Sequence, residues 1–230
     1  MPLRLTAIAL ATTSLAALPA LAETRTYDVS AFDGIDVSAG IEVIYETGVT
    51  QSVVVENSKG DFDDIIVEVD DGDLVLKRPR KIGWGGRRTA YTVTVGAQAL
   101  SEIEASSGSS VEGSGLSGEE TSIDVSSGAR AVITNISTGE IDIEASSGSN
   151  VEASGTCNEL EAEASSGASI DASSLQCTSL SADVSSGASI RAYASERIDA
   201  DASSGGSVRV DGGATDVTID KSSGGSVSVG

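Results

Sequence analysis

Ser-Ser-Gly occurs seven times, with its glycine at 108, 128, 148, 167, 187, 205 and 224. The spacings are 20, 20, 19, 20, 18 and 19 residues. A period held that closely specifies a stacked-repeat architecture, in which each unit buries its apolar face only against its neighbours. Aligning the copies on the glycine gives each position a role. Seven, five and three residues before it stand Ile141, Ile143 and Ala145, then Leu160, Ala162 and Ala164, then Leu180, Ala182 and Val184. Three and five residues after it stand Val151 and Ala153, Ile170 and Ala172, Ile190 and Ala192, Val208 and Val210. Alternation by two describes strands with one face buried. Ser-Ser-Gly lies between two such strands and is the corner, where glycine adopts positive φ without steric cost.

Two strands and their corners in each repeat, with no helical periodicity, predict an all-β fold. The expected form is a single-stacked parallel β-helix (a β-solenoid) of about 20 residues per coil, right-handed, the commoner hand. Composition agrees. The chain has two Phe, one Trp and four Tyr, too few for the centre of a compact globule but enough for a core one coil wide. Cys157 and Cys177 are 20 residues apart, one period, so stacking brings their Cα atoms to about 5 Å, within disulfide reach. We expect that bond. The alternative, a metal or redox thiol pair, lacks partner ligands, since the chain has no His.

The chain divides into three parts. Residues 1–22 read as a secretory signal peptide: Arg4, an apolar run from Leu5 to Ala17, and Ala20-Leu21-Ala22 before Glu23. That run is too short to span a bilayer as a helix, so we expect no transmembrane segment in the mature chain. An exported protein of periplasm, outer surface or medium follows, in a compartment that permits disulfides. Residues 23–100 lack the repeat but carry strand signals, Ile41 to Tyr45, Ser52 to Glu56, Ile65 to Val69, Leu74 to Leu76 and Tyr91 to Val95, with a tight turn at Asp70-Asp71-Gly72-Asp73. They are expected to form an irregular β cap or the first coils. Residues 101–230 are the seven-coil β-helix, continuous with the cap as one domain, 23–230.

Phe32-Asp33-Gly34-Ile35-Asp36-Val37-Ser38-Ala39-Gly40-Ile41-Glu42-Val43 resembles the opening of the bacterial "putative auto-transporter adhesin, head GIN domain" family. The resemblance continues through Asp71-Gly72-Asp73-Leu74-Val75-Leu76, Thr92-Val93-Thr94-Val95 and Leu100, into Ile103-Glu104-Ala105-Ser106-Ser107-Gly108. It implies a secreted or envelope-associated β-helix with an adhesin-like role. It transfers no catalytic residues. Self-translocation is not implied, because this sequence carries no membrane barrel.

Two polar features are candidates for function. The first is an acid four residues before every corner glycine: Glu104, Asp124, Glu144, Glu163, Asp183, Asp201 and Asp220. Stacking turns these into an outward ladder with rungs about 4.8 Å apart. At 4 Å two unit charges repel by about 1 kcal/mol in water, so the ladder is either a shallow cation site, with Ca²⁺ the natural ion, a face for a cationic partner, or a solvated face that discourages aggregation. The calcium-binding Gly-Gly-x-Gly-x-Asp repeat is absent, and no cofactor is otherwise expected. The second feature is basic. Lys77, Arg78, Arg80, Lys81, Arg87 and Arg88 surround Trp84, the only tryptophan. That loop could dock on anionic polysaccharide or lipid headgroups, lie against the acidic ladder, or be a solvated hairpin tip.

A net charge of -21 excludes the basic footprint of a nucleic-acid binder. Without His, a Ser-His-Asp arrangement cannot form. Paired carboxylates for glycoside cleavage are available, but nothing singles out a pair. The reading from sequence is therefore a non-enzymatic, adhesin-like interaction or structural protein, with an envelope or surface protein or glycan as partner. A carbohydrate- or cation-binding module is the alternative, and a polysaccharide-degrading enzyme a remote one.

Overall fold

A computed structural model describes residues 22–57, 61–79 and 89–230. The expected signal peptide lies outside them, apart from Ala22. The described residues form strands and turns without a helix. The strands are β1 (Glu23–Tyr27), β2 (Gly34–Val37), β3 (Glu42–Thr47), β4 (Ser52–Asn57), β5 (Ile66–Asp70), β6 (Asp73–Lys77), β7 (Thr92–Ala97) and β8 (Glu102–Ala105). The long strands β9 (Ser110–Val125), β10 (Arg130–Ala145), β11 (Asn150–Ala164), β12 (Ser169–Val184) and β13 (Ser189–Ala202) follow. β14 (Ser207–Asp211), β15 (Asp216–Lys221) and β16 (Ser226–Val229) end the chain.

From β9 to β16 the pairing is parallel, and repeats stack in the order predicted. The corner explains why they do. In each copy the second serine is left-handed, with φ of 49–55°, and the glycine follows at 72–82°. The next amide donates back to the first serine's carbonyl, as in Ser109 N–H to Ser106 O at 3.1 Å and Ala129 N–H to Ser126 O at 3.0 Å. This is the arrangement of a type I′ turn. The glycine amide points along the axis and donates to the serine of the next coil, Gly108 to Ser127 at 3.2 Å and Gly128 to Ser147 at 3.1 Å. Corners therefore bond to corners from Gly108 through Ser204, which enforces the period along the stack.

The inward residues form columns. One runs Ile35, Ile103, Ile123, Ile143, Ala162, Ala182, Ala200, and another Val43, Val111, Ala131, Val151, Ile170, Ile190, Val208. All are buried, and each large one stabilises the stack by about 1.5–3 kcal/mol.

The N-terminal segment is both cap and coil. Ser38-Ala39-Gly40 makes the same left-handed corner, with φ of 64° at Ala39 and 72° at Gly40. β2 and β3 flank it and stack directly on β8 and β9. On their other side lie β6 and β7, also parallel. β2 and β3 are thus held between β6 and β7 on one side and β8 and β9 on the other, so sequence order and spatial order differ. Beyond β6 and β7 the pairing becomes antiparallel, β4 and then β1 on β7, and β5 on β6. Arg78 locks the end. Its side chain is only 8% exposed, and Nη1 meets Asp64 Oδ2 at 2.7 Å. Its Nε donates to Ala39 O at 3.0 Å, and its guanidinium lies over the Tyr91 ring at 5.0 Å.

The opposite end ends differently. β15 and β16 pair only with the preceding coil, and Val217 and Ile219 are 39% and 36% exposed. Lys221 occupies the inward column that reads Val37, Ala105, Val125, Ala145, Ala164, Val184, Ala202 in the other coils. A charge at that register position of a terminal strand opposes pairing with another sheet edge.

Candidate functional site

The strands that enter each corner present one continuous acidic face. Register places Glu104, Asp124, Glu144, Glu163, Asp183, Asp201 and Asp220 as successive neighbours, all exposed. Asp36 extends the row by one rung beyond Glu104, and Val75 ends it. A second outward row, two residues earlier, adds Glu102, Asp142, Glu161 and Asp199. Lateral crowding appears in the protonation equilibria. Burial, and then the neighbouring carboxylates Asp36, Glu102, Asp124 and Asp73, raise Glu104. Glu144 is raised by burial and by Asp124, Glu163 and Glu161. Asp142, with one buried carboxylate oxygen unpartnered among the described residues, is pushed up to about 6, by burial first and then by Glu144, Glu161, Glu163 and Asp124.

The face reached after each corner differs. Its cations are engaged: Arg130 with Glu152 at 2.6 Å, Arg191 with Asp171 at 3.4 Å and Arg209 with Asp211 at 3.4 Å. Burial opposes ionisation of Asp171, yet hydrogen bonds from Ser173 and Arg191 hold it below the ordinary carboxylate range. The arginines of this face are thus paired, whereas no carboxylate of the ladder forms an ion pair with a described cation. Among the described residues no group of three or more acids or cysteines is arranged to hold a metal ion, so the ladder offers spaced carboxylates rather than a formed cage.

A raised carboxylate has a definite consequence for stability. The folded state binds a proton on Asp142 more tightly than the unfolded chain between pH 3.8 and about 6. Stability therefore rises as pH falls from neutrality through that window, and the penalty is full above it. Asp142→Asn is expected to stabilise the protein at pH 7.5 by about 1 kcal/mol, a value reduced for its partial exposure, and to flatten the rise towards pH 4.5. Urea midpoints at the two pH values check this. An unchanged midpoint and slope in the variant would discard the explanation.

The basic segment divides. Lys77 pairs with Glu68 at 2.8 Å, and Arg78 is buried in the end lock, so Arg78 serves the fold rather than an exposed loop. Arg80, Lys81, Trp84, Arg87 and Arg88 lie outside the described residues. Cys157 and Cys177 are register partners, joined by a disulfide with Cα atoms 4.6 Å apart.

One concave feature escaped the sequence. The β3–β4 turn crosses the end of β7 and overhangs the outer face, bounding one side of an open cavity of about 710 Å³. Ile44, Val49 and Val132 supply its apolar surface, with Glu46 and Glu112 beside them. Its residues come from four separated segments. No local motif marks them.

The family model for "Putative auto-transporter adhesin, head GIN domain" matches residues 31–214. No curated protein sequence matches. Among solved structures, a "putative adhesin" from Bacteroides fragilis superposes with a TM-score of 0.76 at 19% identity, covering 90% of this chain and 96% of its own. A "putative lipid binding protein" from Parabacteroides distasonis gives 0.71 at 18%, with 91% and 96% covered. A "putative adhesin" from Parabacteroides merdae gives 0.66 at 15%, again with 91% and 96% covered. At these identities the likeness is one of fold.

Proposed function

The chain belongs to the "putative auto-transporter adhesin, head GIN domain" family, and from that premise we propose that it is a non-enzymatic, adhesin-like protein, exported to the bacterial envelope or beyond, whose working surface is the acidic face. The observation that carries this reading is the contrast between faces. Three arginines on one face are matched by acids, whereas carboxylates on the other stack in register without a described cation between them, and Glu104, Asp142 and Glu144 have raised proton affinities. Adjacent like charges oppose folding, so their repetition in every coil supports a role for the face outside the fold. The partner is a cationic surface on an envelope protein or glycan. Ca²⁺ would act as a bridge to an anionic glycan rather than as a resident cofactor. Export is supported by the character of residues 1–22 and by the disulfide.

The test is binding of the purified protein to a glycan array and to cell surfaces, with and without Ca²⁺. It is run beside a Glu144→Gln, Glu163→Gln, Asp183→Asn variant and a Trp84→Ala, Arg87→Ala, Arg88→Ala variant. We expect the ladder variant to lose binding at least tenfold and the loop variant to keep it. The reverse result would move the surface to the basic loop and favour a lectin-like module. Binding by none of the three proteins would sink the adhesive reading.

A further inference from the structure

Four large hydrophobic residues are exposed among those described, and two of them, Ile44 at 45% and Val49 at 37%, share the cavity beneath the β3–β4 turn. The floor departs from the pattern of its own face. Along the outward row through Thr94, Ile44, Glu112, Val132, Glu152 and Asp171, the two aliphatic residues both fall in this cavity, with Thr94 and Glu112 beside them. The roof is preformed. Gly48 N–H donates to Gln98 O at 3.1 Å and Val49 N–H to Ala97 O at 3.2 Å, pinning the turn across the end of β7. The turn lies so close to the strand that a Cβ at Gly96 would stand 2.8 Å from both Thr50 O and Ser52 Oγ.

Charge decides what such a pocket accepts. Glu46 and Glu112 flank the apolar floor, and neither forms an ion pair with a described cation. Arg130, in the next coil and the neighbouring row, is already engaged by Glu152 at 2.6 Å. No Lys or Arg lines the cavity. A ligand with an anionic head would meet two carboxylates on a chain of net charge -21, whereas a cationic head would find both unengaged. The volume lies within the range of about 300–1,000 Å³ usual for small-molecule sites.

We propose that the overhung cavity is a binding site for a small amphipathic cation, an apolar chain carrying one positive nitrogen. The chain lies between Ile44, Val49 and Val132, and the nitrogen sits against Glu46 and Glu112. This site is separate from the acidic face, and adhesion through that face neither requires it nor follows from it.

Three probes of equal chain length separate the contributions: octylammonium, octanol and octanoate, titrated into the purified protein at pH 7.5 and followed by methyl chemical shifts. Octylammonium is expected to bind about tenfold tighter than octanol, the reach of two exposed carboxylates, and octanoate weakest. Glu46→Gln with Glu112→Gln should bring octylammonium to the octanol level and leave octanol unchanged. Val132→Arg, at a surface position, should abolish binding of all three with an unaltered circular dichroism spectrum. Octanoate binding as tightly as octylammonium overturns the proposal. So does binding indifferent to Val132→Arg, and so does failure of all three probes at millimolar concentration.

Discussion

Gly155→Ala is expected to lower the unfolding free energy by about 4 kcal/mol. Two costs combine. Gly155 has a φ of 143°, outside the range an L side chain normally adopts. A Cβ there would also stand within 3 Å of three backbone atoms of Ile136 in the preceding coil. Backbone bonded into a stack cannot withdraw as a side chain can. The position has a clear origin, since the β10–β11 pairing shifts register between Ile133 and Ile136, and Ile136 then faces Gly155. The 19-residue spacing between the glycines at 148 and 167 is absorbed at this corner. Gly148→Ala is the control. Nothing lies within 4 Å of its added Cβ, and φ is 72°, so it should cost only the left-handed penalty of about 1–2 kcal/mol. Urea unfolding followed by circular dichroism compares the two, and equal losses would refute the backbone-contact argument.

Reduction of the Cys157–Cys177 bond should cost about 3 kcal/mol, the loop-closure entropy for a segment of this length. The bridge joins adjacent coils in register, so its effect should concentrate there. Hydrogen exchange with and without reductant is expected to show protection falling across β11 and β12 and persisting in β2, β3 and β8. Uniform loss along the whole stack would instead mean that the solenoid unfolds as one unit.

Features that repeat along the chain are legible in its residues. The seven corners, the acid ladder and the cysteine register each follow from a spacing near 20 residues, because parallel stacking converts sequence period directly into contact. Where contact is not periodic, that route fails. The coil at 34–47 is legible only as strand signals, since Ala39 replaces the second serine and its stacking partner lies far along the chain, Gly34 beside Glu102. Arg78 reads as a loop cation because its neighbours in sequence are basic. Its burial depends on Asp64, Ala39 and Tyr91, which only the cap brings together. The overhung cavity is the extreme case: its segments at 112–114 and 132–134 are one period apart, but those at 44–52 and 94–96 come from the N-terminal region, where the Ser-Ser-Gly repeat is absent.

The displaced coil has a kinetic consequence. A chain emerging from its N-terminus cannot wind this solenoid turn by turn from the start, because β2 and β3 find partners on both sides only after residues 73–97 and 102–114 are present. Closing loops of that length precedes any reward from the contacts, which makes this region the slow step. Every later coil needs only its predecessor and can add by propagation. Folding is therefore delayed until about half the chain is available and then runs quickly to the far end. Such a schedule leaves the leading strands without their stacking partners until the middle of the chain has been made.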